Sequence, residues 1–118
     1  MTAGGARSGG RPIIARIWRG RTQADRSDEY LTFLGGTGLA DYRHTEGNRG
    51  VLVLRREVEG TAEFTLLTLW DSMEAISRFA GDEVDRARYY PEDPQFLLEL
   101  TPFVEHYEVA WRDLDQSV

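Results

Sequence analysis

The chain has 118 residues, 41% hydrophobic and 29% charged, which suits one folded domain with a modest core. It has no cysteine, and its 14 basic residues are all arginine, which excludes disulfides, thiolate nucleophiles, cysteine-held metals, Schiff-base chemistry and a phosphate-loop lysine. Two histidines, His44 and His106, cannot make a three-histidine metal site in one chain, and a net charge of −6 argues against a general nucleic-acid binder.

In chain order, the first feature is a charge asymmetry: residues 1–24 hold Arg7, Arg11, Arg16, Arg19 and Arg21 and no acid. Residues 1–11 read as a flexible Gly/Arg-rich tail, either a solvated leader or an anion-binding arm. Its lack of an apolar run predicts neither a secretory signal nor a membrane span, so a cytoplasmic protein is expected. From Pro12 the apolar density rises, and Ile13 to Trp18, interrupted by Arg16 and closed by Gly20, reads as the first strand. Thr22 is the expected cap of a first helix, whose face carries Ser27, Tyr30, Leu31 and Leu34 and which stops at Gly35-Gly36. Residues 37–50 read as a long connection with a short extended piece over 39–45.

Val51 to Val58 and Glu63 to Trp70 are two apolar runs joined through Glu59-Gly60-Thr61, which predicts a hairpin. Asp71 with Glu74 forms a capping-box variant ahead of a second helix, with Met73, Ile76, Phe79 and Ala80 on one face and Gly81 at its end. Residues 82–90 suggest another short helical piece, Asp93-Pro94 starts a turn, and Phe103 to Trp111 reads as the last strand. The domain is thus expected over 12–113, with a C-terminal tail over 114–118. The order strand, helix, strand, strand, helix, strand is that of an α+β, ferredoxin-like antiparallel sheet with helices on one face. The strands of the hairpin are too apolar for a wet second face, so that face is expected to pack against its copy in a homodimer.

Three stretches then look familiar: Phe64-Thr65-Leu66-Leu67-Thr68-Leu69-Trp70-Asp71-Ser72 with Ile76 and Phe79-Ala80-Gly81, Tyr89-Tyr90-Pro91-Glu92-Asp93, and Val104-Glu105-His106-Tyr107-Glu108-Val109. Over about residues 13–111 the chain resembles the antibiotic biosynthesis monooxygenase (ABM) domain family, in an uncharacterised bacterial branch. The resemblance implies a dimeric α/β barrel with a pocket between sheet and helices in each subunit. It also implies activities ranging from cofactor-independent oxygenation of aromatic polyketides and quinols to haem degradation. The haem-degrading branch matches at Trp70, but its haem-ligating histidine falls at about Tyr89 here.

Each candidate site residue carries a bland reading beside the functional one. Trp70 stands where a pocket wall or a core residue would stand. His106 is the one histidine in a predicted strand, a base near neutrality or a structural partner of a carboxylate such as Glu105 or Glu108. Arg55 and Arg56 point to opposite faces of their strand, and the inward one would stabilise a phenolate or pair a glutamate. Tyr89 and Tyr90 would form the lip of the pocket or anchor the loop after the helix, and Phe79 its wall. Glu92 and Asp93 read as caps, and His44 as exposed and inert.

The residues therefore allow a monooxygenase for a small phenolic or polycyclic aromatic compound, with His106 and Arg55 as the catalytic candidates and no metal or other cofactor. They equally allow a non-catalytic dimeric ligand-binding or structural module of the same fold. In either case the expected partners are a second copy and a small aromatic molecule, with no nucleic acid and no membrane. The sequence feature that separates the two is whether Trp70, His106 and an arginine converge on one cavity, or whether Phe79, Phe96 and Leu97 fill it.

Overall fold

A computed structural model describes residues 12–115. The expected tail over 1–11 and residues 116–118 of the expected C-terminal tail lie outside them. The elements are β1 (Ile14–Gln23), α1 (Ser27–Gly36), α2 (Gly38–His44), β2 (Asn48–Val58), β3 (Thr61–Trp70), α3 (Met73–Ala80) and β4 (Glu105–Glu108). Short 3₁₀ turns span Ala24–Arg26 and Asp93–Gln95.

The four strands form one antiparallel sheet in the order β2-β3-β1-β4, so β3 lies between β1 and β2 as a ferredoxin-like fold requires. Glu59 and Gly60, with φ of 51° and 85°, make the two-residue hairpin turn whose left-handed pair matches the sheet's twist. Period-two alternation sorts the strands cleanly. Trp18, Phe64, Leu66 and Trp70 face the helices, while Ile17, Leu52, Leu54 and Leu67 face the other way. On the helix side Tyr30, Tyr42, Ile76 and Phe79 complete a core in which aromatic edges meet aromatic faces, as in the T-shaped Tyr30–Phe64 pair at 5.1 Å. The opposite face stays open in the single chain, with Leu52 and Leu54 about half exposed.

Several boundaries differ from the sequence reading. Thr22 does not cap α1: it sits inside β1 opposite Ala62, fully buried, and its hydroxyl donates to the Gln23 carbonyl. A 3₁₀ turn leads into the helix instead. The extended piece expected over 39–45 is the helix α2, held by Thr37 and Thr45 hydroxyls on the Phe33 and Asp41 carbonyls, with Tyr42 buried. Seven residues are too few for helical and alternating patterns to be told apart. Ser72 rather than Asp71 caps α3, accepting from the Ala75 backbone N–H, and Asp71 instead pairs with Arg49. Ala75, Ile76 and Phe79 form the inner face of α3, and Met73 is exposed.

Residues 82–90 do not form the expected helical piece. They run as a strap, touching the C-terminal segment through an isolated bridge between Arg86 and Phe103. The last strand is shorter than expected, with ladder pairing only over Glu105–Glu108. No helix among the described residues is long and apolar enough to cross a membrane.

Candidate functional site

A cleft between the sheet and the helices is built from β1, β3, all three helices and the strap. Because Arg16 and Trp18 share the parity of the helix-facing residues, β1 delivers both into the cleft wall beside Leu66 of β3. Tyr30 and Leu34 of α1, Tyr42 of α2 and Phe79 of α3 close the other side. The strap contributes Arg88, Tyr89 and Tyr90 at the rim, and the 3₁₀ turn after it contributes Asp93. The space between them is about 30 Å³, enough for a water or two.

Two polar chains tie the rim down. The Trp18 indole N–H donates to the Tyr89 hydroxyl at 3.0 Å, and that hydroxyl donates to the Thr101 carbonyl at 2.6 Å. At the other end the Tyr90 hydroxyl donates to Asp41, which also accepts from Arg88 at 3.1 Å. The Arg88 guanidinium lies over both the Phe79 and Tyr90 rings, at 4.8 and 5.1 Å. Burial pushes up the phenols of Tyr30, Tyr42 and Tyr90, so they stay protonated donors at neutral pH. Asp93 is nearly fully buried and accepts from the Tyr90 backbone N–H at 2.7 Å; desolvation raises its carboxyl above the ordinary range.

Arg16 is the only buried cation among the described residues, 2% exposed. Its Nη2 donates to the Arg86 carbonyl at 3.0 Å and, more weakly, to the Val84 carbonyl at 3.4 Å. Its Nε has no hydrogen-bond partner, and no carboxylate among the described residues lies within ion-pairing distance of it. The guanidinium stays charged despite a downward pull from burial. Directly opposite Arg16 in the β1–β4 register is His106. Its Nδ1 lies 3.1 Å from Asp85 Oδ1, which holds the ring with Nε2 directed away, buried and unpartnered.

The structure brings Phe79, Tyr89 and Tyr90 to the cleft and places His106 beside Arg16 on the neighbouring strand, outside this lining and in that of a separate open depression with Ile14, Met73 and Tyr107. Trp70 is fully buried and lies in the core, against Tyr42 and Phe79, outside the cleft wall. Arg55 does lie on the helix-facing side, but Asp28 and Ser27 at the start of α1 take its guanidinium, and Arg56 pairs Glu63 on the open face. Phe96 stacks on Phe33 at 5.2 Å, so it packs beside α1. The residues that sequence reasoning passed over are Arg16, Trp18, Tyr42 and Arg88. A cation inside an apolar run, two residues before a buried tryptophan, is the signal that points to Arg16.

His106 is held below its ordinary pKa of 6.5, first by burial and then by Arg16, against the opposing pull of Asp85. Between 6.5 and its lower folded value the unfolded chain therefore binds more protons than the folded one. This contribution to stability is complete above that window and is lost as pH falls through it. Replacing His106 by asparagine is expected to flatten the stability profile there, measured by urea unfolding from about pH 5 to 8. A variant as pH-sensitive as the parent would place the titration on another group.

No protein-family model and no curated protein matches the chain. Solved structures do. One, from Bacillus cereus and provisionally named an antibiotic biosynthesis monooxygenase, superposes with a TM-score of 0.60 over 89% of this chain and 100% of its own, at 18% identity. Another of the same provisional name, from Bordetella bronchiseptica, gives 0.56 over 82% and 96% at 18% identity.

The chain shares the fold of these two structures.

A third structure with this fold is a haem-degrading protein from Mycobacterium tuberculosis, with a TM-score of 0.57 over 87% of this chain and 99% of its own at 17% identity. Haem does not fit the residues of the present ABM-fold chain. Tyr89, at the position of the expected ligand, has its hydroxyl committed to Trp18 and Thr101. Among the described residues no group of three or more His, Asp or Glu side chains is placed to hold a metal ion.

Proposed function

We propose that this ABM-fold chain is a monooxygenase for a small phenolic or polycyclic aromatic compound, needing no cofactor and working as a homodimer. The observation that carries the reading is the pairing of Arg16 in an aromatic-walled cleft with His106, whose free Nε2 is backed by Asp85, on the neighbouring strand. A phenol or anthrone entering the cleft would lie between the Trp18, Phe79 and tyrosine rings with its oxygen towards Arg16. The guanidinium stabilises the anion left when the substrate loses a proton, and His106, on the strand beside Arg16, would receive that proton. The substrate carbanion then reduces dioxygen. Carbon–oxygen bond formation and protonation give a hydroperoxide, and loss of water from it leaves the new carbonyl, so substrate and dioxygen account for every electron. Arg55 has no part in this scheme, because Asp28 neutralises it at α1.

The dimer reading rests on the open sheet face, where Leu52, Leu54, Leu67 and Ile17 form an apolar surface that a second copy would cover. The small cleft, with Trp70 in the core and His106 outside the lining, supports the alternative, a non-catalytic module of the same fold. Dioxygen uptake with a panel of anthrones, naphthols and quinols separates the two, run with and without chelator beside His106→Ala. Light scattering on the same preparation reports the mass. The expected result is a dimer whose uptake survives chelator and falls at least tenfold in the variant. No uptake from a folded dimer across the panel would favour the non-catalytic module, and a monomer would overturn the role given to the sheet face.

A further inference from the structure

We infer that the cleft is a binding site for a monatomic anion of halide size, held beside the Arg16 guanidinium by unspent donors of the chain. The inference goes beyond the reading above and needs neither an aromatic ligand nor turnover. A guanidinium 2% exposed has given up nearly all its hydration, and a buried charge is ordinarily matched by an opposite one. Arg16 has only backbone carbonyls on Nη2 and nothing on Nε. Asp85, the acid that acts on it, is hydrogen-bonded to His106 instead.

Two phenols line the same cleft, and neither the Tyr30 nor the Tyr42 hydroxyl donates to an acceptor among the described residues. Burial keeps both protonated, and Tyr42 lies within electrostatic reach of Arg16. A guanidinium N–H and two phenolic O–H groups with no acceptor to receive them thus meet in about 30 Å³. That is close to the share of one water in the liquid, so the space suits a single ion and not a sulfate or a ring. Asp93, the one carboxyl in the lining, accepts from the Tyr90 N–H, is pushed towards its neutral form by burial, and acts on Tyr30 rather than on Arg16. An ion of this size leaves the Val84 and Arg86 carbonyls on Nη2, so the strap stays in place. His106 reports the occupancy: the Arg16 charge across the ladder holds it low against the pull of Asp85 from the strap, and an anion beside Arg16 offsets that charge.

The test is proton NMR titration of His106 in the intact protein, in chloride, bromide and sulfate at equal ionic strength, with thermal melting alongside. Chloride and bromide are expected to raise the His106 midpoint by about 0.5 pH unit or more over sulfate, and to raise the melting temperature. The exposed His44 reports the bulk effect of each salt in the same spectra. Arg16→Gln should abolish the difference, and Tyr42→Phe, which keeps the ring, should weaken chloride binding by about fivefold. Arg43→Gln, which removes a surface charge from α2, should leave it intact. The same midpoint in all three salts, a response as large in sulfate as in chloride, or a chloride effect that persists in Arg16→Gln would overturn the inference. Should Arg16→Gln not fold, the comparison of salts in the parent protein and the loss in Tyr42→Phe still decide the matter. No substrate is present in these measurements, so a lack of oxygen uptake would sink the monooxygenase reading alone, and a His106 blind to halide would sink the anion site alone.

Discussion

Trp70→Ala is expected to cost about 3–5 kcal/mol of folding stability, a large part of the roughly 5–15 kcal/mol that holds a domain of this size together. Trp70 is fully buried at the last position of β3, paired with Ile14 on one side and Asn48 on the other. Its ring lies 6.1 Å from Tyr42 and 5.9 Å from Phe79, so it is the common floor on which α2 and α3 rest. Its indole N–H donates to the Thr68 hydroxyl at 2.8 Å, and that hydroxyl donates in turn to the Arg16 carbonyl. Truncation therefore leaves a large cavity and breaks a buried hydrogen-bonded chain at once. Urea unfolding followed by circular dichroism measures the loss. Trp70→Phe, which keeps most of the volume, should recover more than half of it. A cost below about 1 kcal/mol for the alanine variant would mean that the helices do not rest on this ring.

Gly20→Val is expected to destabilise by about 1–3 kcal/mol and to reshape the cleft in the same stroke. A Cβ at Gly20 would stand 2.3 Å from Cη2 and 2.5 Å from Cζ2 of Trp18, well inside contact distance. The indole must leave its place, and with it goes the hydrogen bond to the Tyr89 hydroxyl that ties the strap to the sheet. The sheet has no slack to offer, because Gly20 is buried opposite Phe64 in the centre of the β1–β3 ladder. Near-ultraviolet circular dichroism would report the displaced indole, and thermal melting the loss of stability. Trp18→Leu in the same chain should restore part of it, giving a favourable coupling of about 0.5–3 kcal/mol between two residues in contact. Additive effects would show that glycine is not needed there to make room for the ring.

A long apolar run carries enough repeats of its period to reveal its own geometry. That is why the hairpin, the first strand and α3 were readable, as was the ferredoxin-like order of elements. The apolar second face of the sheet was legible for the same reason, since Leu52, Leu54 and Leu67 share one parity and nothing among the described residues covers Leu52 and Leu54. Short or glycine-flanked segments lack those repeats. So α2 read as extended chain, the strap read as helix, and the last strand read longer than its four paired residues. Capping was ambiguous for a related reason: Asp71 and Ser72 are both good caps, and only the position of Arg49 across the sheet draws the aspartate away.

The lining of the cleft was half legible. Phe79, Tyr89 and Tyr90 reach the cleft as expected of their neighbourhood in the chain. Trp70 shares the parity of Leu66 but lies four residues further along β3, under α2 and α3, and depth along a strand is not written in any local pattern. Arg55 has the inward parity as well, yet it faces the start of α1, where Asp28 meets it. By itself the amino-acid sequence determined the three long strands, α1 and α3 and their order, the two apolar faces of the sheet and the absence of thiol and lysine chemistry, because these follow from composition and from periods of two or 3.6 residues. Tertiary structure alone decided which cation is buried without a counter-charge, that His106 stands opposite it with Asp85 behind, and that the strap closes the cleft. Those facts depend on contacts between residues some seventy or more positions apart in places, as between Arg16 and Arg86, and a chain folds such partners together without marking either of them.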